Sequence, residues 1–277
     1  MSNTIMSAGE LSSHIDSAAT VVVDCRWYLG RPEAGIAAYR AGHLPGAFHV
    51  SLDTDLSGPV GPGRHPLPTP EAFTETCASI GITPSATVVA YDDNGGAIAA
   101  RLWWMLRNQG HDRVFVLDGG IQAWETSGGK LTTDTPVPAR GFQTSRPWTA
   151  TVDRDLVSNR ATDTVVIDAR SPERYRGESE SVDPEAGHIP GALSMPLTQN
   201  LTNDLTFRTP GELRQHFASR GIDDDTKVFS QCGSGVTACH NILALAIAGM
   251  TDADLYVGSW SDWSAAGYPV ATGDRPV

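Results

Sequence analysis

The sequence predicts an α/β protein made of two copies of one domain, each a mainly parallel sheet flanked by helices on both faces. Three observations carry that prediction. Segments recur along the 277 residues at a steady spacing of roughly 140, far longer than the 20–50-residue period of a solenoid. Short β-branched apolar runs alternate with helix-length segments, the pattern of buried parallel strands joined by crossover helices. Turn chemistry punctuates both copies at matching places.

The repeat is explicit. Val21-Val-Val-Asp-Cys-Arg26 returns as Val165-Val-Ile-Asp-Ala-Arg170, and Ala41-Gly-His-Leu-Pro-Gly-Ala47 as Ala186-Gly-His-Ile-Pro-Gly-Ala192. Gly119 to Trp124 matches Gly258 to Trp263. Expected strands of the first copy are Val21–Val23, Thr87–Ala90 and Val114–Leu117. Their counterparts are Val165–Ile167, Val228–Ser230 and Leu255–Val257. Thr69 and Thr209 are N-caps, each followed by Pro at the first helical position, and Gly81 and Gly221 stop those helices. The Thr- and Pro-rich stretch Leu131–Ala150 has no periodicity and reads as a linker. The expected domains are therefore 1–130 and 151–277, joined by 131–150.

Composition excludes several classes. With 40% apolar and 19% charged residues the chain is globular, and its net charge of −12, with only Lys130 and Lys227 as lysines, argues against nucleic acid. No secretory signal and no membrane-spanning run is expected. Cys25, Cys77, Cys232 and Cys239 form no CxxC pair or disulfide framework, which suits a reducing cytoplasm.

The informative segment is Val228-Phe-Ser-Gln-Cys-Gly-Ser-Gly-Val-Thr-Ala238: a buried strand, a Gly-rich turn, then a helix running to about Gly249. Ligands of open α/β sheets bind at the C-terminal ends of strands, so Cys232 stands where a reactive group is expected. Gly233 and Gly235 permit tight turning, so that successive N–H groups point inward. Those donors and the following helix start favour an anion, and hence a thiolate, the species that attacks sulfur. By sequence alignment of the repeat, Asp93 takes the place of Cys232 in the first copy, which keeps the fold and lacks the nucleophile.

With these residues in view, the chain resembles the tandem-domain rhodanese family of sulfurtransferases, nearly end to end. The motifs are Asp-x-Arg after the first strand of each copy, Gly-His-[Leu/Ile]-Pro-Gly-Ala, and Cys232-Gly-Ser-Gly-Val-Thr-Ala238, the last resembling the 3-mercaptopyruvate branch. The resemblance implies that Cys232 takes sulfur from a small donor, 3-mercaptopyruvate or thiosulfate, and passes it from a persulfide to cyanide or to a thiol such as thioredoxin or a low-molecular-weight thiol. No cofactor or metal is implied. Gly233, Gly235, Val236 and Thr237 line the donor site, with Arg174 on the donor's anionic group. Ser234 works in a relay with a first-domain histidine, for which His43 is the matching position and Glu33 a weak acidic partner. The thiosulfate branch has two basic residues where this chain has Gly233 and Ser234, and a dianion needs more charge compensation than a monoanion. A second arginine expected before Gly187 is absent, because Gly177 to Gly187 carries Glu178, Glu180, Asp183 and Glu185 and no basic residue.

Plainer readings cover the other residues. Cys25, Cys77 and Cys239 are expected to pack, and His188 to fasten its loop, a role open to His43 as well. Asp24, Arg26, Asp168 and Arg170 recur in both copies and so tie loops to the sheet. The acidic loop Glu178–Glu185 reads as a solvated edge, and the tryptophans as core. Cys232, Cys239 and His240 lack a fourth zinc ligand. Thiosulfate:cyanide sulfurtransferase is the nearest rival activity, and a non-catalytic binding module a remoter one. A cysteine phosphatase would want arginine where Ala238 stands, and no Ser-hydrolase elbow is present.

Overall fold

The computed structural model describes residues 4–59, 61–137, 141, 145–250 and 253–275. Two compact units emerge. The first holds the chain up to Gly58, Leu67–Thr149 and Asn203–Phe207; the second holds Pro59–Pro66, Ala150–Thr202 and the chain from Arg208. The boundary thus differs from the expected one. The stretch after residue 130 packs on the first unit instead of spanning between units: His43 pairs with Thr132 in an antiparallel bridge. Trp148 donates its indole N–H to Pro68 O at 2.7 Å and stacks on Trp104. Residues 138–140 and 142–144 of the expected linker lie outside the described residues.

The first unit runs β1 (Ile5–Met6), α1 (Ala8–Ser12), β2 (Thr20–Asp24), α2 (Ala34–Ala41), β3 (Phe48–His49), α3 (Pro70–Ser79), β4 (Thr87–Tyr91), α4 (Ala99–Asn108), β5 (Val114–Leu117) and α5 (Gly120–Thr126). The second runs β6 (Thr151–Val152), α6 (Arg154–Ser158), β7 (Val165–Asp168), α7 (Pro172–Arg176), β8 (Leu193–Ser194), a 3-10 turn at Leu197–Asn200, α8 (Pro210–Ala218), β9 (Val228–Gln231), α9 (Ala238–Ile247), β10 (Ala253–Tyr256) and α10 (Ser259–Ala265). Each sheet is parallel throughout, in the orders β1-β5-β4-β2-β3 and β6-β10-β9-β7-β8. The expected strands are all present. Missed were the two-residue edge strands, too short to show any periodicity.

The central strands β2, β4, β7 and β9 are buried because helices cover both faces. Val22, Val89 and Leu117 pack with Leu11, Ile121 and Trp124 in one unit; Val166 and Phe229 pack with Val157, Trp260 and Trp263 in the other. The caps form as read. Thr69 Oγ1 accepts from Ala72 N at 3.2 Å, and Thr209 makes a reciprocal box with Glu212, each such cap worth about 1 kcal/mol.

The repeated motifs act as loop fasteners. Arg26 grips Asp24 and donates to Gly42 O at 2.8 Å; Arg170 grips Asp168 and donates to Gly187 O at 2.7 Å. Each holds the Gly-His loop to the end of its strand. Among the described residues, no helix is long and apolar enough to cross a membrane.

Candidate active site

Cys232 follows β9, the middle strand of the second sheet, and is 2% exposed. Its amide donates to Ser259 Oγ at 3.1 Å and its carbonyl accepts from Trp260 N at 3.0 Å, so the backbone on both sides of the sulfur is pinned to the start of α10. Ser259 holds this position at φ +53°, a left-handed conformation that costs a non-glycine residue about 1 kcal/mol. The loop then turns at Gly235, with φ +75°, where a Cβ would fall 2.4 Å from Val257 O, so only glycine fits. Among the described residues, the amides of Gly233, Ser234, Val236, Thr237 and Ala238 donate to no protein acceptor, and Val236 tucks its side chain into the core. A run of free N–H groups around one sulfur is a cradle for negative charge.

Strand register corrects the pairing of the two copies. Asp24 pairs with Tyr91 in β2–β4, and Asp168 with Gln231 in β7–β9. The residue after Tyr91 is Asp92, so Asp92, not Asp93, occupies the place of Cys232. The loop there is one residue longer before its helix, which hid the match in the sequence. The Asp92 carboxylate accepts four backbone N–H groups, from Asn94, Gly96, Ile98 and Ala99, at 2.8–2.9 Å. The first copy thus contains its own anion. Burial nevertheless pushes the Asp92 carboxyl above the ordinary range, the four amides only partly offsetting it. Asp93 instead accepts the Tyr28 hydroxyl.

Ser234 has a histidine beside it, and that residue is His65. Its Nδ1 lies 2.7 Å from Ser234 Oγ. His43, expected in this role, is held inside the first unit: Nδ1 is 2.8 Å from Tyr39 O, Nε2 is 3.0 Å from Asp134 O, and the ring stacks on Tyr39. His188 repeats that arrangement with Tyr175 O, Arg275 O and the Tyr175 ring. The same histidine doing the same job in both copies is a fastener. His65 escaped the sequence reading because the segment at the matching place of the second copy, Asn203–Phe207, shares no residue pattern with Pro59–Pro66. Its one signal was Gly63-Arg-His-Pro66, a basic pair set in a Gly- and Pro-rich stretch.

Two guanidinium groups meet the loop. A Cβ built on Gly233 would lie 3.0 Å from Arg64 Nη2 and 3.3 Å from Arg174 Nη1. The second arginine thus comes from Pro59–Pro66 and not from the segment before Gly187. Nor is the acidic loop a solvated edge. Glu180 and Asp183 have side chains 3% and 2% exposed; Glu180 takes Arg174 Nε and Nη2 at 2.8–3.1 Å, and Asp183 bridges Arg174, at 2.9 Å, and Arg64. The fork of Arg174 is therefore occupied by Glu180, leaving Nη1 for a ligand. Burial, followed by repulsion from Arg174, pulls Arg64 below the ordinary arginine range.

The other cysteines stay with the core. Burial pushes the Cys77 thiol up to about 12 and holds Cys25 well above its ordinary value, so neither is a nucleophile at neutral pH. Cys239 Sγ donates to Gly235 O at 3.5 Å, and His240 Nδ1 lies near Asn200.

A single cysteine at a strand end, ringed by amides and faced by two arginines, defines a class: enzymes that carry a transferred group on sulfur and stabilise its negative charge. Comparison with known proteins places the chain within that class. The rhodanese-like domain matches twice, over residues 7–127 and 153–266. A Pseudomonas aeruginosa protein, named a probable 3-mercaptopyruvate sulfurtransferase, is 41% identical over 98% of both chains. A Mycobacterium tuberculosis protein, provisionally named a thiosulfate sulfurtransferase, is 40% identical over 94% of both. The solved 3-mercaptopyruvate sulfurtransferase of Escherichia coli superposes with a TM-score of 0.82 at 31% identity, covering 94% of this chain and 99% of that one. The chain belongs to the rhodanese-like domain family, in the two-domain sulfurtransferase form these relatives share. It acts with a small-molecule sulfur donor and an acceptor.

Proposed function

We propose that the protein transfers sulfur from 3-mercaptopyruvate to a thiol through a persulfide on Cys232. The observation that carries this reading is the open amide loop around Cys232, faced by Arg64 and Arg174. The Cys232 thiolate attacks the donor's sulfur; an S–S bond forms as the C–S bond breaks, and the electron pair leaves on pyruvate as its enolate. The enolate carbon then takes a proton, which the His65–Ser234 pair is placed to relay. A thiolate acceptor next attacks the outer sulfur, leaves with it as a persulfide, and returns Cys232 as thiolate. In a cytoplasmic setting that acceptor is thioredoxin or a low-molecular-weight thiol.

Arg174 Nη1 and Arg64 Nη2 hold the donor's carboxylate above Gly233, while Gly235, Val236 and Thr237 shape the loop that receives the sulfur. Thiosulfate is the second reading, favoured by the two guanidinium groups and by the name of the mycobacterial relative. Steady-state transfer to cyanide with each donor decides between them. For mercaptopyruvate kcat/KM should exceed that for thiosulfate by at least about tenfold, or 1.4 kcal/mol. The reverse ratio makes the protein a thiosulfate sulfurtransferase.

A further inference from the structure

The donor site is walled by an unusual set of charges. Arg64, Arg170 and Arg174 lie against Glu180, Asp183 and Asp168, three cations with three carboxylates. All three carboxylates are nearly buried: Asp168 is 0% exposed, Glu180 3% and Asp183 2%. The two guanidiniums that reach the loop remain accessible, at 29% for Arg64 and 23% for Arg174. Asp183 is the shared member, ion-paired to both, and it holds them side by side over Gly233. Among the described residues Arg64 Nε is buried with no hydrogen-bond partner, and Arg174 Nη1 lies 3.3 Å from where a Cβ on Gly233 would stand. Charge is thus cancelled behind the arginines while donors remain in front.

Coulomb interactions at such a half-buried site are weakly screened, so net charge counts there more than at an open surface. A cluster of net zero supplies directed N–H groups without surplus positive charge. A monoanion can use those hydrogen bonds at small electrostatic cost, beside a cysteine that is itself to react as an anion. A dianion needs a surplus of positive charge, and this wall has none.

We propose that Asp183 is a specificity-determining residue: by neutralising the Arg64–Arg174 pair it selects singly charged sulfur donors over doubly charged ones. This rests on the sulfurtransferase reading above. It also assigns a purpose to a buried carboxylate in a donor site for anions, a placement that otherwise works against binding.

The proposal predicts effects of opposite sign. Asp183→Asn keeps a carbonyl acceptor for the arginines and leaves the wall at +1. The ratio of kcat/KM for thiosulfate to that for mercaptopyruvate should then rise by about tenfold. Arg64→Gln leaves the wall at −1 and should lower the same ratio by about tenfold. A purely structural role for either residue would depress both donors together and leave the ratio alone. Melting temperature is read beside each variant, and if Asp183→Asn does not fold, the Arg64→Gln ratio decides. Ratios that shift as stated support the proposal. An unchanged ratio, or one moving the same way in both variants, overturns it while wild-type turnover with mercaptopyruvate leaves the function intact. Wild-type protein inert to both donors would sink the function and this inference together.

Discussion

The loop after β4 and the loop after β9 leave equivalent strands, turn, and enter equivalent helices, yet one is closed and the other open. Asp92 fills the first with its own carboxylate, which takes four of the loop's amides. Cys232 stands at the same place in the second and, among the described residues, leaves five amides without a protein acceptor. The contrast extends to the residue that braces each loop. Gly120 has φ +58° beside Asp92 O, and its counterpart Ser259 keeps a left-handed backbone while using its hydroxyl to bind the Cys232 amide. One copy has turned an anion cradle into a structural knot. The other keeps the same cradle for an anion that arrives with the substrate. A buried loop of this shape must meet negative charge somewhere, and duplication allows the two solutions to coexist in one chain.

The largest expected effect separates two histidines. His65→Ala should lower kcat with mercaptopyruvate by about 10²–10⁴, the usual loss of a general acid–base group, and spare thiosulfate, whose leaving sulfite needs no proton at carbon. His43→Ala and His188→Ala should lower melting temperature alike, with activity per folded molecule retained. Loss of turnover in His43→Ala beyond that in His188→Ala would return the relay to His43.

Next in size is the anion anchor, which the first copy lacks at the matching loop. Arg174→Ala should raise KM more than it lowers kcat, at a cost of about 1.5–3 kcal/mol in kcat/KM, the range for one hydrogen bond between charged groups. Arg174→Lys should recover only part, since an ammonium cannot hold Glu180 with a fork and still present Nη1 to the donor. Equal kinetics for wild type and Arg174→Ala would leave the donor's carboxylate without its partner.

Paired substitutions at the equivalent positions should give opposite phenotypes. Asp92→Ala leaves buried amides unpaired and should cost about 1–3 kcal/mol of stability, while sulfur transfer per folded molecule is unchanged. Cys232→Ala should abolish transfer with melting temperature nearly unchanged, because among the described residues its thiol makes no hydrogen bond. Thermal scans and donor assays on the two proteins check this directly, and a stability loss at Cys232 matching that at Asp92 would erase the distinction.

The smallest effect is a pH response from buried histidines, His49 and His111 in the first unit and His216 in the second. Burial lowers the pKa of each from the ordinary 6.5. A depressed histidine contributes stability above the ordinary value and loses it as pH falls through the folded one, so melting temperature should drop modestly from pH 7.5 towards acid. His111→Gln should flatten the curve, and an unaltered slope would assign the response elsewhere.

How much of this was readable in advance follows from what each feature depends on. The duplication, the parallel strands and the capped helices are local, and Val21–Asp24 or Thr69–Pro70 announce them by composition and spacing. Cys232 was legible because a strand, a glycine turn and a helix start are contiguous in sequence. The histidine at Ser234 and the second arginine were not, since Arg64 and His65 lie far from Ser234 in the chain and belong to a segment that joins the second unit. Glu180 and Asp183 read as solvated because acidic loops usually are; only the arginines packed against them make burial tolerable. The pairing of Asp92 with Cys232 was displaced by a one-residue difference in loop length, which strand register resolves and sequence alignment does not.

The claim that one loop receives the substrate's anion while the other is closed by its own is tested most directly by mapping where sulfur lands. Protein treated with mercaptopyruvate alone, with no acceptor, is alkylated, digested and read by mass spectrometry for each cysteine. The account predicts one added sulfur atom, on the peptide containing Cys232, and none on peptides containing Cys25, Cys77 or Cys239. It also predicts that Cys232→Ser gains no sulfur at all. Sulfur retained in Cys232→Ser, or found on a cysteine of the first unit, would contradict it.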